Sequence, residues 1–364
     1  MDIPVFRYMD WAKAHVGRGS HPLHRSDAPG ATLADLGLSA ADLRLFRPPA
    51  PRPDPEIAAA VASRYRVPAD CVMPAAGTHH ANFLLARALA GPGSRVLVET
   101  PWYEALPRVF EAVGATVVPF ARRLDAAGRL PMDAIRAGLR DGARVVAVTD
   151  LHNPTGLHLL PDDLAALEAA AREHDATVLV DEVYRDFLPP PVGTCFVPGG
   201  PFVASSSLTK VYGLGGLRFG WALAAPAVVE RMRRLNDLLV VNPPAPSASI
   251  ALGAWGRLEG IAARHRETAA RNFKVVSAWI RGRPGLSWTP PDAGIAALVR
   301  VEALRGKDDV AWVEALTEAT GVVVVPGSMF EAPGGFRLSF GVPTETLAEA
   351  LDRLGSFLDR GEGL

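Results

Sequence analysis

The residues best suited to catalysis surround Lys210, in the segment S-S-S-L-T-K-V-Y-G-L-G-G-L-R. Hydroxyl groups precede the lysine at Ser207 and Thr209, and Arg218 follows it after several glycines. A primary amine can hold an aldehyde covalently as a Schiff base, while hydroxyls, backbone N–H groups and a guanidinium bind a phosphate. The segment therefore predicts a site for a phosphorylated aldehyde. A solvated lysine in a glycine-rich loop is the alternative, and the segment alone does not decide between them.

Three more polar residues follow apolar runs that are typical of buried strands. Asn153 comes after V-V-A-V-T, Asp181 ends T-V-L-V-D, and Tyr184 lies one turn further on. Alternating apolar strands and amphipathic helices predict an α/β domain with a mainly parallel sheet, in which ligands bind beyond the carboxyl ends of the strands. We therefore expect Asn153, Asp181 and Lys210 at one edge of the sheet.

Two other segments suit charged groups. Gly77 and Thr78 precede a helical stretch, where free N–H groups and the helix dipole favour an anion, although a plain loop-to-helix junction has the same pattern. Arg337 lies inside the apolar strand F-R-L-S-F. A buried cation needs an anionic partner, so this arginine is either a clamp for a carboxylate or an edge residue that reaches solvent.

The elements that must position these residues can be read from periodicity and from Gly and Pro breaks. The aromatic residues Phe6, Tyr8 and Trp11 suggest a short amphipathic arm, and the stretch Leu45–Pro55 is a proline-rich linker. His79 and His80 are expected on a helix surface, with one of them facing the site as the alternative. Predicted strands are Arg95–Glu99, Thr116–Pro119, Val145–Thr149, Thr177–Asp181, Phe202–Ser206, Ile295–Val301, Val322–Val325 and Gly335–Phe340. Predicted helices are Pro55–Tyr65, Ala81–Ala90, Pro161–His174, Pro226–Leu239, Ser247–Ile280, Ala311–Thr320 and Thr344–Leu358.

Composition favours an enzyme acting on a small molecule. The chain has 364 residues, 49% of them hydrophobic, which is enough for two domains or one large domain. A net charge of -1 without a basic run predicts no nucleic-acid or membrane partner. The two cysteines are too few for a disulfide scaffold and lack metal-ligand spacing, so we expect a reducing, cytoplasmic setting and no metal. The N-terminal residues show no secretion signal, and no apolar run is long enough to span a membrane.

Four motifs in order carry a family resemblance: N-P-T-G, D-E-V-Y, S-L-T-K with an arginine eight residues on, and F-R-L-S. From about Asp54 to the C-terminus the chain resembles the class I/II aminotransferases, which are fold type I enzymes dependent on pyridoxal 5′-phosphate. The resemblance implies an α/β fold with a large domain, whose central sheet is mainly parallel and flanked by helices, and a smaller α/β domain. By this comparison residues 1–50 form an N-terminal arm and part of the small domain, 51–255 the large cofactor-binding domain, and 256–364 a connecting helix and the small C-terminal domain.

The resemblance also implies roles for the residues that react. Lys210 corresponds to the Schiff-base lysine that moves the Cα proton, and Asp181 to the carboxylate that pairs with the pyridine nitrogen and keeps the ring an electron sink. Asn153 and Tyr184 correspond to the pair that bonds the phenolic oxygen of the ring. Arg337, together with Asn153, is expected to bind the α-carboxylate of an amino acid.

Other residues correspond to those that hold the cofactor. An aromatic ring stacks on the cofactor in this family, and Tyr103 in T-P-W-Y falls at that place. The phosphate is expected to be bound by Gly77, Thr78, Ser207, Thr209 and Arg218. The resemblance further implies a homodimer with shared active sites.

The reaction itself is left with alternatives. We expect an aminotransferase that uses an amino acid and a 2-oxo acid through a pyridoxamine intermediate. The chain departs from the family before residue 56, where the usual tyrosine-glycine signal gives way to prolines and the N-terminal glycine segment gives way to His24–Gly30. A lyase-like outcome of the same fold (elimination, replacement or cyclisation at the β or γ carbon) therefore stays open. A DNA-binding regulator with an aminotransferase-like domain is disfavoured by the near-neutral charge.

Overall fold

A computed structural model describes residues 3–46, 54–124 and 128–363 of the chain. Its helices are α1 Arg7–Ala14, α2 Pro55–Tyr65, α3 Thr78–Leu89, α4 Ala105–Ala112, α5 Met132–Arg140, α6 Pro161–Glu173, α7 Pro226–Asn236, α8 Ala245–Ala254, α9 Leu258–Arg281, α10 Asp309–Thr320 and α11 Thr344–Asp359. Its strands are β1 His21–Pro22, β2 Val72–Ala75, β3 Arg95–Thr100, β4 Thr116–Ala121, β5 Val145–Thr149, β6 Thr177–Asp181, β7 Phe202–Ser207, β8 Gly220–Leu223, β9 Leu286–Trp288, β10 Ala296–Val301, β11 Val322–Val323, β12 Val325–Pro326 and β13 Gly335–Ser339.

A seven-stranded sheet forms the centre of the molecule, with strand order β2-β8-β7-β6-β5-β3-β4. Strands β3 to β7 pair in parallel, and β8 runs antiparallel to both of its neighbours. The α/β fold with a mainly parallel sheet is therefore confirmed. The register places Thr149 opposite Asp181 and Asp181 opposite Ser205, so β5, β6 and β7 end at the same edge.

Helices cover both faces of this sheet, which explains why its strands read as continuous apolar runs. Side chains alternate along each strand: Val96 and Val98 pack in the core under α3, α4 and α7, whereas Leu97 packs in the core under α5 and α6. Burial on both sides fixes the register, because a slip of one residue would exchange the two faces.

A second layer contains the antiparallel sheet β12-β13-β10-β9, which shares a core with α9, α10 and α11. The N-terminal strand β1 pairs in parallel with β11, so the first residues of the chain are tied to its C-terminal part. The predicted aromatic arm is α1, whose Tyr8 and Trp11 are buried in the same core. The domain boundaries after residues 50 and 255 stay a prediction.

Element boundaries differ from the sequence prediction in several places. Helix α3 begins at Thr78, three residues earlier than expected, and the long helical region after Ser247 is interrupted at Trp255–Arg257. The single strand expected at Val322–Val325 is two short strands in different sheets, β11 and β12. Most of the proline-rich linker, residues 47–53, lies outside the described residues, and α2 begins at Pro55 as expected. No helix in the described ranges is both long and apolar enough to cross a bilayer.

Candidate active site

A cavity of about 300 Å³ lies at the edge where β5, β6 and β7 end. The structure brings Asn153, Asp181 and Lys210 together there, each from the loop or strand end where the sequence placed it. The residues that line the cavity are Met9, Ser26, Thr78, His79, Tyr103, Thr149, Asn153, Asp181, Val183, Tyr184, Ser207, Thr209, Lys210 and Arg218. Gly77 adjoins Arg218, and Arg337 is hydrogen-bonded to Asn153, so all of the predicted site residues lie in or next to one cavity.

Asp181 is a buried carboxylate at the end of β6. Its Oδ2 accepts a hydrogen bond from Asn82 Nδ2 at 2.8 Å, and its Oδ1 accepts one from Val183 N at 3.1 Å. Burial raises its pKa to about 6, although these two bonds and the charge of Lys210 act in the opposite direction. A ligand with a protonated ring nitrogen beside this carboxylate would supply the cation that the ionised form of Asp181 requires.

A set of donors that suits an anion is present where the sequence predicted a phosphate site. Gly77 has φ +86°, and a Cβ at this position would lie 2.7 Å from Arg218 Nη2, so a glycine lets the guanidinium pass over the start of α3. Thr78 Oγ1 is buried and has no hydrogen-bond partner among the described residues. Together with the first N–H groups of α3 it forms a set of donors that a phosphate would satisfy.

Hydroxyl groups at the end of β7 and just beyond it line the same cavity. They belong to Ser207 and Thr209, and Thr209 N donates to Ser207 Oγ at 3.2 Å. Arg218 is exposed and donates to the carbonyl oxygens of Gly215 and Ala76. The donor set therefore fits a phosphorylated ligand.

Aromatic rings form one wall of the cavity. The ring of Tyr103 lies 5.6 Å from that of His79 at 24°, and its hydroxyl is 2.9 Å from His79 Nε2. Burial, followed by the charges of Lys210 and Arg218, lowers the pKa of His79 to about 4, so the imidazole is neutral at physiological pH. The expectation that His79 lies on the helix surface is wrong, because the first turn of α3 directs it into the cavity. His80 is half-buried, and its Nδ1 accepts from Ala76 N at 3.0 Å, so it supports the loop before α3.

Arg337 is fully buried in β13. Its guanidinium donates to Asn153 Oδ1 at 3.3 Å, to Tyr8 Oη at 3.2 Å and to the carbonyl of His24 at 2.6 Å, and it stacks over the rings of Tyr8 and Phe330. These partners within the described residues are all neutral, and Arg337 Nε has none among them. A buried guanidinium in such surroundings is suited to a carboxylate supplied by a ligand.

The N-terminal segment His24–Gly30, which replaces the family's glycine segment in this chain, supplies Ser26, a residue that sequence reasoning did not assign to the site. Tyr184 Oη donates to the backbone carbonyl of Ser26 at 2.8 Å, and Lys210 Nζ donates to Ser26 Oγ at 3.1 Å. Asn82, the partner of Asp181, was also missed. Both contacts join residues that are far apart in the sequence, and no local pattern marks them.

His152, which precedes Asn153, supports the loop. Its ring nitrogens bond Thr155 Oγ1 at 2.6 Å and the carbonyl of Pro101 at 2.8 Å, so it joins the N-P-T-G turn to the loop that carries Tyr103. Complete burial lowers its pKa well below the usual value, which keeps the ring neutral.

The fold and this site define the chain as a pyridoxal-phosphate enzyme of fold type I, and comparison with known proteins agrees. The model of the family "Aminotransferase class I and II" matches residues 41–354, so the chain belongs to that family, as the motifs predicted. Its cofactor is pyridoxal 5′-phosphate.

Individual relatives include different reactions. The chain is 28% identical to capreomycidine synthase of Streptomyces vinaceus over 361 residues, which is 96% of this chain and 92% of that protein. Among solved structures it is similar to a pyridoxal-phosphate-dependent aminotransferase from Streptococcus suis, with a TM-score of 0.90, 25% identity and 99% of each chain covered. It is also similar to the pyridoxal-phosphate-dependent cyclase OrfR, with a TM-score of 0.89, 26% identity, and 99% of this chain and 98% of that chain covered.

Proposed function

We propose that this protein is an aminotransferase that transfers the amino group of an amino acid to a 2-oxo acid. The observation that carries the proposal is the meeting of Lys210, Asp181 and Asn153 in one cavity, with the buried Arg337 bonded to Asn153. This arrangement offers an amine for covalent attachment of the cofactor, a carboxylate for its ring nitrogen and a guanidinium for a substrate carboxylate.

The cofactor would be held by residues of the cavity at three of its parts. Asp181 would pair with the ring nitrogen, and Tyr103 would stack on the ring. Asn153 would donate to the phenolic oxygen, whereas Tyr184 Oη, whose one proton is donated to the Ser26 carbonyl, would accept from the hydroxyl form of that oxygen. Because Asn153 Oδ1 accepts from Arg337, its Nδ2 is the group left to donate to a ligand oxygen. The phosphate would be bound by Gly77, Thr78, Ser207, Thr209 and Arg218.

When bound, pyridoxal phosphate supplies an electron sink for the bonds at Cα of the substrate. Arg337 binds the α-carboxylate and so fixes the direction of the Cα–H bond. Lys210 Nζ takes the Cα proton and returns a proton later in the reaction. Tyr8 and the N-terminal segment cover Arg337, which keeps water away from this ion pair and strengthens it.

A second candidate function is cyclisation, and a specific observation favours it. The match to capreomycidine synthase covers 96% of this chain and so includes the N-terminal part that departs from the usual aminotransferase pattern, whereas the match to the arginine–pyruvate transaminase of Pseudomonas aeruginosa covers 81%. Both reactions begin with removal of the Cα proton, and the same residues would serve either. Elimination or replacement belongs to the same alternative.

The two functions differ in the products that one active site forms when no 2-oxo acid is present to accept the amino group. The cofactor-loaded protein is mixed with each of the standard amino acids and with amino acids that carry a leaving group at the β or γ carbon, first alone and then with pyruvate or 2-oxoglutarate. An aminotransferase forms one 2-oxo acid per active site without an acceptor, and turns over with production of a new amino acid once an acceptor is present. Many turnovers to a cyclic or eliminated product without 2-oxo acid consumption would show that the second candidate is correct.

We further propose that the protein is a homodimer, that it is cytoplasmic, and that its substrates are free amino acids and 2-oxo acids. Membership in the class I and II family supports the dimer and the substrates. The scarcity of cysteine, two in 364 residues, supports a reducing compartment.

A further inference from the structure

A short N-terminal segment, residues 24–29, crosses the cavity between Arg337 and Lys210 and is hydrogen-bonded to both residues. The carbonyl of His24 accepts from Arg337 Nη2 at 2.6 Å, and Ala28 N donates to the carbonyl of Lys210 at 2.8 Å. The segment thus contacts both the proposed substrate clamp and the proposed reactive lysine. We call it the crossing segment.

The crossing segment also packs tightly on the loop after Lys210. Gly213 has φ +67°, and a Cβ at this position would lie 2.0 Å from the carbonyl oxygen of Pro29. An approach this close is possible only with a glycine at position 213, so the C-terminal end of the crossing segment packs directly against the loop after Lys210.

Ser26 is the residue of this segment whose side chain enters the cavity. It is only 6% exposed, and its Oγ accepts a hydrogen bond from Lys210 Nζ at 3.1 Å. The carbonyl of the same residue accepts from Tyr184 Oη at 2.8 Å, which prevents the backbone from turning the hydroxyl away. The backbone that carries the hydroxyl is therefore held in place independently of Lys210.

When the amine of Lys210 is not bonded to the cofactor, four rotatable side-chain bonds leave it mobile. The lone pair of the amine must nevertheless point at Cα of the substrate to remove a proton. An acceptor that fixes one N–H of the amine restricts its rotation and leaves the lone pair free for the substrate. Ser26 Oγ is placed to do this.

We propose that Ser26 is a positioning residue for the reaction, which holds the amine of Lys210 in the orientation that removes the Cα proton. The proposal rests on the proposed role of Lys210 as the proton-transfer base. It is independent of whether the reaction continues as transamination or as cyclisation, because both require removal of that proton.

The experiment follows exchange of the Cα proton. Loaded wild-type protein and Ser26→Ala are each incubated in D₂O with an equimolar mixture of the twenty standard L-amino acids, and deuterium at Cα is measured by mass spectrometry. We expect exchange in Ser26→Ala to be slower by about tenfold to a hundredfold, since misplacement of a reacting group by about 1 Å costs about a hundredfold. Ser26→Thr, which keeps a hydroxyl, should recover most of the rate. Arg25→Ala changes an exposed residue of the same segment and is expected to behave as wild type.

A binding measurement separates orientation of the amine from packing of the segment. The dissociation constant of the α-methyl analogue of the fastest-exchanging amino acid is measured by spectral titration, because this analogue has no Cα proton to lose. If Ser26 orients the amine, Ser26→Ala leaves this constant unchanged. If it only supports the segment, binding weakens as well, because His24 loses its position beside Arg337.

Wild-type exchange in Ser26→Ala, or parallel losses of exchange and of binding, would overturn this inference alone. Undiminished exchange by Lys210→Ala would instead overturn the proposed function together with the inference.

Discussion

At the scale of single residues, the ionisation of Asp181 links the stability of the folded protein to binding of the cofactor. Burial raises its pKa to about 6 from an ordinary value of 3.8, so the native protein binds a proton here that the unfolded chain releases between about pH 4 and 6. The stabilising contribution is complete below pH 4 and is lost as the pH rises through about 6. The loss amounts to roughly 2–3 kcal/mol, since each pKa unit corresponds to about 1.4 kcal/mol.

We predict that the effect of Asp181→Asn on the stability of the cofactor-free protein is more favourable at pH 8 than at pH 4, by about 2–3 kcal/mol. The amide has the shape of the carboxyl group but no charge to bury, and its NH2 group, which cannot accept from Asn82 or Val183, costs the same hydrogen bond at both pH values. Urea unfolding at the two pH values measures the difference. With cofactor bound, the wild-type protein should be the more stable at pH 8, because the wild-type carboxylate then faces a ring N–H. An equal effect of the substitution at both pH values would show that ionisation of Asp181 is not the cause.

The second prediction at this scale concerns Arg337. Loss of a desolvated, hydrogen-bonded charge partner typically costs about 2–5 kcal/mol, so Arg337→Ala should weaken amino-acid binding by about thirtyfold or more. The visible spectrum of the bound cofactor should be unchanged, since the phosphate and the ring nitrogen are held elsewhere. Spectral titration with an α-methyl amino acid measures the binding. Arg300→Ala, an exposed arginine of the neighbouring strand β10, serves as the control, and equal affinities in the two variants would make Arg337 a structural residue.

Residues of the site were predictable where a local pattern marked them. Lys210, Asp181 and Asn153 each follow an apolar strand, and the parallel sheet brings such positions to one edge. Ser26 and Asn82 were not predictable, because their contacts with Lys210 and Asp181 span 184 and 99 residues. Contacts of this kind depend on how the layers pack, which a single sequence does not reveal.

At the scale of elements, the strands of the sheet were predictable, whereas the helix boundaries and the connecting segments were less so. Burial of β5 and β6 on both faces requires apolar residues throughout, and that requirement is visible in the sequence. The early start of α3 depends on the left-handed φ of Gly77 and on the guanidinium beside it. The place of the crossing segment depends on pairing of β1 with β11, some 300 residues away.

The loop between Lys210 and β8 gives a prediction at this scale. Gly213→Ala should displace the crossing segment, because the added Cβ would lie 2.0 Å from the carbonyl of Pro29 and φ is +67°. A strained backbone of this kind costs about 1–3 kcal/mol, so we expect a lower melting temperature and weaker binding of amino acids. Calorimetry and titration with an α-methyl amino acid measure the two effects. Gly216→Ala lies in the same loop with open space around it, and it should leave both properties unchanged.

At the scale of the whole molecule, the described surface carries an apolar run that one chain leaves uncovered. Leu238, Leu239, Val240 and Val241 follow α7 in succession, and all four are exposed, Leu238 to 83%. Single exposed apolar residues are common on soluble proteins, whereas a run of four is typical of a surface that a partner covers. In the proposed homodimer a second copy of this chain would be that partner.

We therefore predict that the protein sediments as a dimer and that Leu238→Asp shifts it toward the monomer. A charge in the covered interface is desolvated without a partner, so the dimer dissociation constant should rise by about a hundredfold or more, which corresponds to about 3 kcal/mol. Sedimentation at several protein concentrations measures this constant, and turnover should fall in parallel if the active sites are shared. Val197→Asp places the same charge on an exposed valine elsewhere and should leave the dimer intact. A wild-type protein that stays monomeric and active at micromolar concentration would contradict the prediction, because each cavity would then be complete within one chain.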